Sequence, residues 1–147
     1  MKAHLSRRYH FSASHRLHTE SYDAARNAAV FGKCNNPHGH GHNYTVQVTL
    51  SGQIDPATGM VCSLTELDAF AQTNLLERFD HTNLNTLECF REVVPTTENL
   101  VLEIRKRLEK ALAGKFVLHV RVEETSNNFF EYWEEGSQLR SGWLKSG

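Results

Sequence analysis

The sequence offers no disulfide framework: its three cysteines, Cys34, Cys62 and Cys89, lie far apart, and none belongs to a Cys-x-x-Cys pair. That excludes a cysteine-rich zinc module and leaves thiols that read as reduced, as in a cytoplasmic protein. There is no surplus of one charge either. Sixteen Lys and Arg against seventeen Asp and Glu leave a net −1, so no basic field draws nucleic acid or an anionic membrane surface. No apolar run approaches the roughly 20 residues of a membrane helix. The opening Met1-Lys2-Ala3-His4-Leu5-Ser6-Arg7-Arg8 has no apolar stretch of signal-peptide length. Repeats and low-complexity segments are missing as well. What remains is a chain of 147 residues, 39% hydrophobic, which suits one domain spanning 1–147 with a real core.

Histidine is what the chain has in quantity. Three of its nine histidines fall with Cys34 in the segment Cys34-Asn35-Asn36-Pro37-His38-Gly39-His40-Gly41-His42. His40 and His42 open an alternating stretch to Gln53 in which Tyr44, Val46, Val48 and Leu50 share their face. On a strand this spacing places both imidazoles on one side, close enough to share an ion. An earlier alternating stretch, residues 4–17, carries Phe11, Ala13 and His15 on its inward face, so His15 is the natural third ligand. Three histidines with a fourth position open are the pattern of a catalytic zinc. His38 is expected in solvent or behind the ligands as a supporting residue. A cupin would want Glu where Val46 and Gln47 stand, and the helices that follow also argue against a jelly roll.

The rest of the chain supplies a scaffold and scattered acid–base groups. Residues 21–31 suggest a short helix capped by Ser21 and ending at Gly32. Asp55-Pro56-Ala57-Thr58-Gly59 is a turn, and Met60-Val61-Cys62 is expected to return as a strand, making 44–62 a hairpin. Ser63-Leu64-Thr65-Glu66 is a capping box for a helix to about Arg78. A second helix, capped by Thr96 or Thr97, runs to about Ala113 on the stripe Leu100, Val101, Ile104, Leu108, Leu112. Strands then follow over 116–125 and 129–133. The order predicts an α+β domain with an antiparallel sheet, two helices on one face, and a half-polar opposite face that includes His119 and Arg121. Asp80-His81 in the loop after the first long helix pairs a carboxylate with an imidazole. Glu124 ends a strand. Residues 134–147 form a polar tail in which Leu139, Trp143 and Leu144 stand out.

Six segments in this order resemble the 6-pyruvoyltetrahydropterin synthase and 6-carboxytetrahydropterin synthase family. They are Phe11-Ser12-Ala13-Ser14-His15-Arg16-Leu17, Phe31-Gly32-Lys33-Cys34 through Tyr44, Asp55 through Val61, Asp80-His81-Thr82-Asn83-Leu84, Thr96-Thr97-Glu98-Asn99 and Glu124-Thr125-Ser126-Asn127-Asn128. The match spans about residues 8–133. The resemblance implies the tunnelling fold: a four-stranded antiparallel sheet with two helices, three subunits joining sheets into a barrel, and two trimers stacking as a homo-hexamer. It implies zinc on His15, His40 and His42, and Cys34 as general base. Asp80 and His81 would act as its relay, reaching it from a neighbouring subunit. Glu124 would anchor the pterin ring and join the relay, and Thr97 and Glu98 would line the pocket. The implied substrate is 7,8-dihydroneopterin triphosphate. The Asn35-Asn36-Pro37 link and Ser126-Asn127-Asn128 resemble the pyruvoyl-forming, tetrahydrobiopterin-type branch. The carboxy-forming branch of queuosine biosynthesis, which releases acetaldehyde, is the alternative, and a non-catalytic zinc-stabilised module is a distant third. Arg7, Arg8, Arg16, Arg26 and Lys33 are unranked candidates for holding the triphosphate.

Overall fold

The computed structural model describes residues 1–112 and 114–133. The expected tail and Ala113, the expected last residue of the second long helix, lie outside the described residues. In chain order the elements are β1 (Lys2–His15), α1 (Ala24–Phe31), β2 (His40–Gln53), α2 (Leu64–Ala71), α3 (Glu77–Phe79), β3 (Thr82–Asn83), α4 (Thr97–Leu112), β4 (Val117–Thr125) and β5 (Asn128–Trp133). They build one sheet in the order β3-β1-β2-β4-β5. The four long strands are antiparallel to their neighbours, and β3 adds two residues parallel to β1. The expected four-stranded antiparallel sheet is thus the main body of a mixed five-stranded one.

Period-two alternation sets the two faces. Phe11, Ala13 and His15 of β1, Tyr44, Val46, Val48 and Leu50 of β2, and Leu118, Val120 and Val122 of β4 are buried. They form one core with Leu67, Ala71, Leu75 and Phe79 of the α2–α3 segment and with Leu100, Ile104, Leu108 and Leu112 of α4. Each such large apolar side chain contributes about 1.5–3 kcal/mol by leaving water. The opposite face is zipped by polar cross-strand pairs. Ser6 meets Thr49 at 2.7 Å, Arg8 donates to Gln47 at 3.1 Å, and Ser12 donates to Asn43 at 2.6 Å. A one-residue slip of β1 on β2 would bury these groups and expose the apolar set, so the register is fixed from both faces.

Several expectations shift. Residues 60–62 form no strand, because β2 already pairs with β1 on one side and β4 on the other and has no free edge. The preceding turn is real, closed by Gly59 N–H donating to the Asp55 carbonyl at 2.7 Å. The first helix starts at Ala24, where Asp23 rather than Ser21 accepts from the Arg26 N–H at 2.8 Å. The helix opened by Ser63 is interrupted by a π-helical turn at Gln72–Leu76 before α3. Thr96 caps α4 by accepting from the Asn99 N–H at 3.2 Å, which leaves the Thr97 hydroxyl free for another partner. His119 does stand on the polar face, but Trp133 stacks over its ring at 3.8 Å and buries it.

Candidate metal and thiol site

The end of the β1–β2 ladder gathers the three histidines. His15 and His40 are direct cross-strand partners, and His42 follows two residues along the same face. The Nε2 atoms of His15 and His40 are 3.2 Å apart, as are those of His40 and His42. His15 Nδ1 donates to the Pro95 carbonyl at 2.9 Å, which leaves the Nε2 lone pair facing the other two rings. Burial pushes the pKa values of His15 and His42 down, keeping both rings neutral at pH 7. Zinc–nitrogen bonds of about 2.0–2.1 Å in a tetrahedron set neighbouring donors about 3.4 Å apart. The His15–His40 and His40–His42 separations therefore suit neighbouring ligands of such an ion. Gly39 lets the chain arrive there: its φ is +72°, and a Cβ would stand 3.0 Å from the His15 carbonyl oxygen.

Cys34 lies in the 3-10 turn Gly32–Asn35, and its carbonyl accepts from the Leu17 N–H at 2.7 Å. Its sulfur and ring nitrogens of His15 and His40 all fall within 4.8 Å of one another. Burial pushes the thiol pKa up, and the Glu124 charge adds to it. The protein alone therefore holds this thiol protonated, and a bound cation is the group that would reverse the shift.

Asparagines that periodicity does not reveal hold the intervening segment, residues 16–39. Buried Asn27 accepts from the Thr19 N–H at 2.9 Å and donates to the carbonyls of Thr19, Tyr22 and Asp23. Asn35 donates to the Leu17 carbonyl at 2.8 Å, and Asn85 clamps Arg16 through both its N–H and its carbonyl. Removing a side chain that satisfies buried backbone groups costs about 1–3 kcal/mol for each group left unpaired. Asn27→Ala is accordingly expected to lower stability by about 2 kcal/mol, read as a lower midpoint in urea unfolding. An unchanged midpoint would show that the segment is held elsewhere.

Glu124 sits where β4–β5 pairing shifts between Glu123 and Thr125. Its Oε1 accepts from the Thr97 hydroxyl at 2.9 Å and its Oε2 from the Asn128 side chain at 3.0 Å. Oε1 also lies 3.5 Å from His42 Nε2 and 3.7 Å from His15 Nε2. The residues expected at the site from β1, β2, α4 and β4 thus come together in one chain, Glu98 excepted. Exposed Glu98 instead borders a groove of about 470 Å³ with Leu102, Phe129 and Trp133. His38 is exposed, as expected.

Asp80 and His81 stand apart from Cys34. Asp80 Oδ1 accepts from the Ser12 N–H at 2.9 Å, and its Oδ2 lies 3.5 Å from His81 Nε2. His81 donates its own N–H to the Ser12 carbonyl at 2.7 Å. It adopts φ +57°, and its ring is 84% exposed. This pair makes no hydrogen bond or ion pair to Cys34 among the described residues. Residues that the sequence did not single out include the Pro95 carbonyl, Asn128, and Tyr44, whose hydroxyl is 3.5 Å from His15 Nδ1. The Pro95 and Tyr44 contacts join segments far apart in the chain, whereas Asn128 reaches back across a turn to Glu124.

Comparison with known proteins agrees with this geometry. The protein-family model described as 6-pyruvoyl tetrahydropterin synthase matches residues 4–135. The Homo sapiens 6-pyruvoyl tetrahydrobiopterin synthase is 46% identical over 132 residues, 89% of this chain and 91% of that protein. An Archaeoglobus fulgidus protein named as a putative 6-carboxy-5,6,7,8-tetrahydropterin synthase is 34% identical over 111 residues, 76% of this chain and 88% of its own. The solved structure of Caenorhabditis elegans 6-pyruvoyl tetrahydropterin synthase superposes with a TM-score of 0.86 at 38% identity, covering 92% of this chain and 97% of that one. With the histidine cluster, the thiol and the carboxylate brought together on a matching backbone, the chain belongs to the 6-pyruvoyl tetrahydropterin synthase family.

Proposed function

We propose that the protein is a zinc-dependent lyase that converts 7,8-dihydroneopterin triphosphate to 6-pyruvoyltetrahydropterin with loss of triphosphate. The observation that carries this is the convergence of three imidazoles with a thiol and a carboxylate at the end of one β-ladder. Greater identity to the human synthase than to the putative carboxy-forming relative supports the pyruvoyl product.

His15, His40 and His42 would hold the zinc. Bound there, zinc supplies Lewis-acid polarisation of the substrate's side-chain hydroxyls and acidifies the adjoining C–H bonds. Cys34 takes a proton from a side-chain carbon and returns one to the ring system. Expulsion of triphosphate and the shift of hydrogen within the substrate balance the electrons, so no external oxidant or reductant enters. His81, oriented by Asp80, accepts and returns the Cys34 proton. Since that pair stands away from Cys34 in its own chain, a neighbouring copy presents it, in keeping with a ring-like homo-oligomer.

The resemblance gave Glu124 the pterin ring. Its place beside the imidazole nitrogens suits the reacting side chain instead, because the amino edge of a pterin lies a full ring system away from its C6 substituent. Glu98, one residue after Thr97 and without a hydrogen-bond partner among the described residues, is left to accept from that amino edge. The test is product analysis with purified, zinc-loaded protein and the triphosphate substrate. Triphosphate release without acetaldehyde is expected. Absence of triphosphate release overturns the lyase reading, and acetaldehyde in stoichiometric yield assigns the carboxy-forming reaction.

A further inference from the structure

We propose that Arg16 holds the triphosphate arm of the substrate, with its guanidinium set in place by Asn85 and Asn35. This rests on the lyase reading above and names the group that receives the leaving anion. The triphosphate is carried on the same short side chain whose carbons Cys34 must reach, so its phosphates begin within a few bonds of the thiol. The cation that meets them therefore belongs at this end of the β1–β2 ladder. Arg8 lies seven residues before His15 along β1, about 23 Å at the usual rise of a strand, and donates to Gln47. Arg7 lies farther still and forks onto Asp68, both bonds at 3.0 Å. Arg26 spends its guanidinium on the Tyr22 ring, 3.9 Å from the centroid. Lys33 is exposed, a point charge on a flexible stem rather than a fork.

Arg16 differs from all four. It follows His15 directly, its N–H donates to the Asn85 side chain at 2.7 Å, and its carbonyl accepts from the same side chain at 2.8 Å. Its Nε donates at 3.2 Å to the carbonyl of Asn35, the residue after Cys34. Arg16 is half-buried, yet its guanidinium pairs with no carboxylate, and both Nη groups lack a partner among the described residues. Drawing a cation from water without a counter-charge is unfavourable, and phosphate oxygens match the guanidinium fork. The position also suits the elimination. The carbon beside the triphosphate-bearing one gives its proton to Cys34, and the electron pair of that C–H bond forms a C=C bond. The C–O bond to triphosphate then breaks with its electrons on the leaving oxygen. Arg16 meets the charge gained there.

Titration calorimetry on the zinc-loaded full chain tests this with two separate probes. One is inorganic triphosphate, supplied with excess magnesium; the other is 7,8-dihydroneopterin, which has the side-chain hydroxyls and no phosphate. Zinc content is measured after each titration. Arg16→Ala is expected to weaken triphosphate binding about 10–100-fold, the usual loss for hydrogen bonds to a charged group, and to leave dihydroneopterin affinity unchanged. Arg16→Lys is expected to recover part of that loss, since it restores the charge without the fork. Unchanged triphosphate affinity in Arg16→Ala overturns the proposal. An equal loss of both probes also overturns it, because that marks a residue needed only for structure. A larger loss in Lys33→Ala than in Arg16→Ala moves the anion to the turn and overturns it as well. If the wild-type chain binds triphosphate through Arg16 yet expels none from the substrate, the lyase reading falls and this anion site stands.

Discussion

His15→Ala is expected to abolish stoichiometric zinc retention and to lower turnover at least about 10³-fold, since metal charge stabilisation is worth several kcal/mol and each 1.36 kcal/mol is a decade in rate. His15 is the most deeply set of the three candidate ligands, fully buried, with Nδ1 fixed on the Pro95 carbonyl and Nε2 aimed at the other two rings. Truncation removes a ligand, leaves that carbonyl unpaired and opens a cavity, so a loss of about 1–3 kcal/mol in stability accompanies it. His40→Ala separates the two effects. His40 is only half-buried, and among the described residues its ring bonds only to His15 and His42, so zinc should be lost with the unfolding midpoint little changed. Metal content after gel filtration decides the matter, and full zinc occupancy in either variant would break the ligand set. Proton competition gives a second reading. Burial lowers the pKa of His15 and His42, so protons displace zinc only as pH falls below the ordinary imidazole value of about 6.5.

The parts of this site that could be read in the sequence are those that depend on period two. His40 and His42 at i and i+2, and His15 in phase with Phe11 and Ala13, fix one face whatever the partner strand is, and the ladder needs only its register to bring them together. The helices were legible for the same reason, from the Leu100–Leu112 stripe and the Ser63 capping box. What the sequence hid was competition between elements. Met60-Val61-Cys62 has the composition of a strand, but β4 takes the edge it would need. Ser21 has the chemistry of a cap, yet Asp23 sits closer to the helix. Nor does alternation show that Asn27 would be buried or that Thr97 and Asn128 would both hold Glu124, since side chain-to-backbone contacts and carboxylate contacts across a turn or between elements have no period.

Mixing Cys34→Ala with His81→Ala chains is expected to restore activity that neither variant has alone. Each alone should lose about 10²–10⁴-fold, the usual worth of a positioned proton-transfer group. Cys34→Ala should keep its zinc, because three imidazoles remain. The exposed His81 ring, held on Asp80 and turned outward by its left-handed backbone, reaches no partner of its own chain beyond that carboxylate among the described residues. The proposed relay is therefore expected to reach the thiol from another copy. In a cyclic assembly of equal amounts of the two variants, about a quarter of the interfaces join an intact Cys34 to an intact His81, so about a quarter of wild-type turnover should return. If the relay acted within one chain, no mixture would exceed the sum of its parts. Dissociating and reassembling the mixed chains before assay is essential, because pre-formed homo-oligomers of either variant contain no complete pair. Recovery only after reassembly would show that association is a condition of turnover, and a flat result would return the relay to a single chain or remove His81 from it.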